Sequence, residues 1–272
     1  MEIHHYTSIE NLALILKNRT FRFTRLDKVD DGEECNLKNE GLLLSYYTFV
    51  SCWTCQSEES IPLWKMYAGK DMHGVRLTFK NQDIFKKYAI NSGVYRGVEI
   101  RANKGQEVIF PPEKMFNKDY LIVPSVNDSD MFFRKVIYVD EPAKEMKGAV
   151  ELIKHDNGLA DMTLDLKKIG TYKRLCWEFQ KEYRFILTII PQKTHKDEIE
   201  TSIANYLIQS IYNKIPPSID HYDLDIDSFS NMEITLSPTC SRAEEIIVRS
   251  LASLYASDAK IKPSSLSGII LK

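Results

Sequence analysis

The sequence is poor in cysteine and glycine and has no long apolar run. Its five cysteines, Cys35, Cys52, Cys55, Cys176 and Cys240, are scattered through 272 residues. An odd, sparse set excludes a dense disulfide framework and reads as reduced thiols, so a cytoplasmic protein is expected. No apolar stretch approaches the roughly 20 residues that span a membrane, so no membrane partner is expected. The opening Met1-Glu2-Ile3-His4-His5 lacks the basic and apolar segments of a secretory leader. Neither sign of charge dominates, since 36 basic and 38 acidic residues leave a net charge of -2. That balance argues against a general electrostatic grip on nucleic acid or anionic lipid, though not against a local basic groove. Neither common glycine-rich phosphate loop is present. Cys52 and Cys55 have Cys-x-x-Cys spacing, but two further zinc ligands are not at hand in the sequence, so no metal is expected.

What the sequence does have is periodicity. Glu2 to Tyr6 reads as a strand. Thr7-Ser8-Ile9-Glu10 has capping-box spacing with Thr7 as N-cap, and Ile9, Leu12, Ala13 and Leu16 follow at helical intervals. Alternation predicts strands over Thr20 to Thr24, Tyr46 to Thr54, Val75 to Phe79, Phe132 to Val139, Tyr183 to Ile190 and Met232 to Leu236. Ile61 to Tyr67 reads as a helix with Pro62 in its first turn. Helices are also predicted over Glu141 to His155, Leu164 to Trp177 and Ile199 to Tyr212. Pro216 to Ser230 reads as an acidic loop. Ser241 to Glu244 is a second capping box, opening a helix with Ile247, Val248, Leu251 and Leu254 on one face. A last short strand is predicted at Gly268 to Leu271. Strands and helices intermingle without strict alternation, so the expected class is α+β with a mixed or antiparallel sheet and flanking helices. One domain over 1–272 is expected, with 191–232 as a helical insertion or cap.

Three segments carry side chains suited to chemistry. His5, Tyr6 and Thr7 stand where a strand enters a helix, a place that suits an anionic or ribose-bearing ligand; His5 also suits a semi-buried strand position. In Trp177 to Arg184, an extended chain places Gln180, Glu182 and Arg184 on one face. A carboxylate buried there needs a partner, which Arg184 or Lys173 can supply; a structural Glu–Arg pair fits equally. Ser51 and Trp53 share a strand face, and Trp53, Trp64 and Tyr67 suit either a wall for a planar ring or a core. Arg22 and Arg25 suit pyrophosphate through bidentate contacts. Asp27, Asp30, Asp31 and Glu34 offer carboxylates for a metal-dependent nuclease, but lack a calcium-loop pattern.

Taken in order, several motifs resemble a bacterial domain-of-unknown-function family. They are His5-Tyr6-Thr7-Ser8 before a helix, Arg22 to Asp27, Asp30-Asp31 with Glu34, Ser51-Cys52-Trp53, Ser60 to Trp64, and Glu182-Tyr183-Arg184. The likeness runs from Ile3 to about Ile190 and is loose beyond it. That family is similar to the ADP-ribosyltransferase superfamily, which splits a mixed sheet around an NAD cleft. The resemblance implies NAD as substrate and a protein or nucleic-acid acceptor, or hydrolysis of NAD, in bacterial antiphage defence or toxin action. It implies that His5 is the first-strand ribose contact, that Ser51 or Trp53 is the middle-strand residue, and that Glu182 is the catalytic carboxylate. Gln180-Lys181-Glu182 matches a Gln-x-Glu form that modifies arginine or asparagine. The opening resembles the histidine type instead, and this mixture leaves the acceptor open. A catalytically inactive nucleotide- or partner-binding module is the alternative.

Overall fold

Alternating apolar side chains from both ends of the chain and from its middle meet in one sheet. The computed structural model describes residues 1–39, 41–95, 98–123, 129–154, 160–191 and 209–270. Ten strands of these residues form that sheet. They are β1 (Ile3–Ser8), β2 (Thr20–Arg25), β3 (Thr48–Thr54), β4 (Gly74–Phe79), β5 (Tyr120–Val123), β6 (Phe133–Lys135), β7 (Glu182–Pro191), β8 (His221–Asp225), β9 (Met232–Leu236) and β10 (Lys260–Lys262). The main path is β5-β7-β3-β1-β4-β9-β10; β6 pairs with β7, and β2 pairs with both β3 and β8. The β9–β10 pair is parallel and the other pairs are antiparallel. The architecture is α+β, with a large mixed sheet and few helices, among them α1 (Ile9–Asn18), α2 (Gly32–Cys35), α3 (Ile61–Tyr67) and α4 (Arg242–Tyr255), besides other short helical turns. No helix of the described residues is long and apolar enough to cross a membrane.

The strand β3 organises the rest. Along one edge it pairs with β7 over seven consecutive positions, Thr48 to Thr54. Its other edge is shared. β2 takes Phe49 and Val50, while β1 touches only Thr54, through His4. Beyond that contact β1 turns to β4, with which it pairs from Ile3 to Ser8. Ser51, Cys52 and Trp53 therefore face a gap between β1 and β2 on that edge. The two strands are joined by α1, whose Leu12, Ile15 and Leu16 are buried.

The main core mixes aliphatic side chains with many aromatic rings. Phe21, Phe23, Phe49, Trp53, Phe79 and Phe185 belong to it. A satellite cluster gathers Leu42, Tyr47, Met146, Val150, Ile169 and Ile211.

Several sequence expectations change. Thr7 is not the cap of α1. It stays in β1 opposite Val75, and Ser8 accepts from the Asn11 amide instead. The predicted helices over 141–155 and 164–177 are absent. Only Pro142–Glu145 is α-helical there, and Val150–Lys154 and Tyr172–Arg174 are strands. Gly148 and Gly170 adopt φ of 71° and 72°, which ends helical propagation. Pro216 to Ser230 contains β8, which pairs beside β2 because Tyr222 and Leu224 are buried in the main core while Asp223 and Asp225 alternate outward. α4 begins at the expected capping box but buries Val248 and Ala252 and leaves Ile247 and Leu254 exposed. Ser267 and Ile270 make a single bridge rather than a strand. Residues 192–208, which hold part of the expected 191–232 insertion and most of its Ile199 to Tyr212 helix, lie outside the described residues.

Candidate functional site

The gap beside β3 is the mouth of a cleft of about 460 Å³. His5 and Thr7 of β1, Ser51 and Cys52 of β3, and Glu182 and Arg184 of β7 all border it. A smaller pocket of about 80 Å³ adjoins it, where Tyr6, Trp53, Leu63 and Gln180 line the wall. His5, Cys52, Tyr67 and Glu182 border both.

Register decides which side chains share a face. Glu182 lies opposite Thr54, and Arg184 opposite Cys52; Tyr183 and Phe185 face Trp53 and Ser51. Ser51 and Trp53 therefore point to the side of the sheet opposite Glu182. The two sets meet only because the edge of β3 is open. Trp53 Nε1 donates to Ser51 Oγ at 3.1 Å, and both are buried. The Trp53 ring sits 5.0 Å from His5 and 4.7 Å from Phe21.

His5 fills the gap in the ladder. Its Nδ1 lies 2.9 Å from the Cys52 carbonyl. A carbonyl only accepts, so Nδ1 carries the proton and Nε2 holds a lone pair in the neutral ring. Burial lowers the His5 pKa and the Cys52 bond works against that, so the ring is neutral near pH 7.

Glu182 is 4% exposed and fully engaged. Arg184 Nε donates to its Oε1 at 2.6 Å. Lys173 Nζ and Arg184 Nη2 reach its Oε2, each at 3.2 Å. Burial acts to raise its pKa, but Arg184 and Lys173 outweigh burial and hold the carboxyl at about 2. Arg184 is itself 1% exposed and pairs on its far side with Glu34 at the end of α2. Gly170, whose positive φ turns the chain here, supplies its carbonyl to Arg184 Nη1 at 3.0 Å. Lys173 also bonds Gln180 Oε1 at 2.9 Å and lies 4.8 Å from the Trp177 ring. Gln180 Nε2 donates to the Tyr67 hydroxyl at 2.7 Å, and that hydroxyl donates to Asp30 at 2.9 Å. Two cations and two carboxylates thus balance in the buried part of the site.

Not every expected residue reaches the cleft. Arg22 borders it, held by Asp223 in a bidentate pair at 2.9 and 3.2 Å. Arg25 does not: it is buried, bound to Asp27 at 2.6 Å, to Asp220 at 2.9 Å and to the carbonyls of Pro217 and Ile219. Arg25 is therefore not placed for the expected pyrophosphate contact, because its donors are spent on Asp27 and on the chain before β8. Trp64 is likewise a core residue, edge-on to Tyr6 with Nε1 on Glu59. Gln180 is in a 3-10 turn rather than extended, because Lys181 turns left-handed at φ 45° before β7 begins. The acidic residues 27 to 34 scatter: Asp27 binds Arg25, Asp31 caps α2, Glu34 binds Arg184 and Asp30 binds Tyr67. Among the described residues no group of three metal-ligating side chains gathers. Cys52, Lys28 and Asp223 also border the cleft and were not singled out as site residues; Asp223 was hidden by the acidic alternation of β8.

Comparison with protein-family models, with curated proteins and with solved structures gave no match.

Proposed function

We propose that the chain is a cytoplasmic NAD-cleaving enzyme of the ADP-ribosyltransferase type, its sheet opening at β3 as the split sheet of that superfamily. The observation that carries this reading is that His5, Ser51 and Glu182, far apart in sequence, border one cleft where β1 leaves β3. In such a reaction the nicotinamide–ribose bond breaks, its electron pair leaves with nicotinamide, and positive charge develops on the ribose. An ionised carboxylate stabilises that charge, and Glu182 is ionised throughout the neutral range. A nucleophile on a protein or nucleic-acid acceptor, or water, then adds to the sugar and loses its proton. Lys28 and Arg22 on the cleft wall bring positive charge for the pyrophosphate, with Nε and Nη2 of Arg22 held by Asp223.

A binding module without turnover is the second reading. It is favoured by the engagement of both Glu182 oxygens by Arg184 and Lys173. Nicotinamide release from NAD by wild type and Glu182→Gln, with and without cell lysate, separates the two. Under the enzyme reading, release falls at least about 100-fold in the folded variant. Undiminished release from folded Glu182→Gln removes Glu182 as the catalytic group. Binding of NAD without release in either condition selects the module.

A further inference from the structure

A second cleft, of about 570 Å³, shares no lining residue with the first. It lies between Ser57–Glu59 and the chain that leaves β10 through Ser264 and Ser265. Arg76 of β4 borders it and is 4% exposed. Its Nη1 donates to the Ser57 carbonyl at 3.0 Å, and the Tyr6 hydroxyl is its other neutral partner. Its Nε has no partner. The other Arg and Lys side chains buried this deeply among the described residues are Arg25, Lys173 and Arg184, and each holds a carboxylate. Arg76 holds none among those residues. A guanidinium out of water with no carboxylate bonded to it is costly, so its open Nε suits an anion.

Its neighbours point the same way. Arg76 lies opposite Tyr6 in β1 and Thr235 in β9, and His4 is two residues from Tyr6, so these side chains share a face. His4 Nε2 and Thr235 Oγ1 are also buried without partners. Lys262 lies opposite Thr235 and brings a second cation to the cleft. Its ammonium meets Glu233 at 2.6 Å but remains about half exposed. Burial first, and then the positive fields of Arg76 and Lys262, hold His4 at about 4. Of the two acids in the wall, Glu59 is ionised and accepts from the neutral donors of Trp64, Ser264 and Ser265, and it makes no ion pair with Arg76. Glu58 is exposed.

We propose that this cleft binds an oxyanion, the phosphate or carboxylate group of a small ligand, with Arg76 as its counter-charge and Lys262 at its rim. A guanidinium matches both oxyanions geometrically. The site is independent of any activity at the first cleft.

The test is thermal unfolding of the full chain in phosphate, acetate or chloride at equal ionic strength. Phosphate or acetate is expected to raise Tm over chloride by on the order of 5 °C at about a hundredfold excess over Kd. The rise is expected to vanish in Arg76→Met and to shrink in Lys262→Ala. A response to phosphate alone assigns a phosphoryl ligand, a response to acetate alone a carboxylate, and a response to both a less selective oxyanion site. If Arg76→Met does not fold, the surface variant Lys262→Ala decides. Equal Tm in all three salts overturns the proposal, as does an anion-specific rise undiminished in the folded variants.

Discussion

Glu182 is buried as a charge only because three other charges are buried with it. Arg184 and Lys173 hold it ionised, and Glu34 neutralises the other half of Arg184. Removing one member leaves an uncompensated buried charge, which costs more than the pair contributes. Glu34→Ala is therefore expected to lower unfolding stability by about 3 kcal/mol in urea titration. A loss under about 1 kcal/mol would mean that water reaches Arg184. Arg22 and Asp223 form a comparable pair at the surface, where solvent screens it. Arg22→Ala is expected to change stability by less than about 1 kcal/mol. At this scale the sequence was informative: a carboxylate heading an apolar strand needs a cation, and Lys173 and Arg184 are the ones it has. Glu34 as the counterweight was not legible, because the pairing depends on where α2 folds back against β7.

The elements show how far local pattern reaches. The helix α4 starts at its capping box, with Ser241 and Glu244 bonded reciprocally as spacing predicts. Its buried face is narrower than the four apolar residues at helical spacing suggest. Val248 and Ala252 face the core, whereas Ile247 is 48% and Leu254 70% exposed. Val248→Ala is expected to cost about 2 kcal/mol, and Leu254→Ser less than about 0.5 kcal/mol. Equal costs in denaturant titration would return Leu254 to a buried face. The gap beside β3 has its own signature. Strand alternation directs the backbone of Cys52 to the open edge, between Val50, which pairs with Thr24, and Thr54, which pairs with His4. Its carbonyl is met by the His5 ring rather than by a strand. The Cys52 amide is expected to exchange with deuterium faster than those of Ser51 and Trp53. Slower exchange at Cys52 than at both neighbours would show the edge to be closed.

Across the whole molecule, buried titratable groups set the response to acid. His4 is held at about 4 against an ordinary 6.5, and burial lowers His5 as well. Unfolded histidines take up protons below pH 6.5, while folded ones do so only further down. Stability is therefore complete above 6.5 and falls as pH drops toward 4, with His4 contributing on the order of 3 kcal/mol. Glu182 acts next, since its depressed pKa supplies stability above 4.5 that is lost as pH falls toward 2. Tm measured from pH 7 to 4 is expected to fall in wild type and to fall less in His4→Asn. Matching profiles would place the acid response elsewhere.

The sequence by itself determined the elements whose side chains repeat at a fixed interval: β1 to β4, β7 and β9, and the helices α1, α3 and α4. It also determined that Glu182 needs a cationic partner. Both are consequences of burial acting on neighbours within a few residues. Only the tertiary structure decided that β3 is shared between β1 and β2 and so carries a gap. It alone sent Arg25 to Asp27 and Asp220, set Ser51 and Glu182 on opposite faces, and left Arg76 Nε without a partner among the described residues. Those outcomes depend on which distant strands lie side by side, and that choice is made by the summed burial of the whole core rather than by any local period.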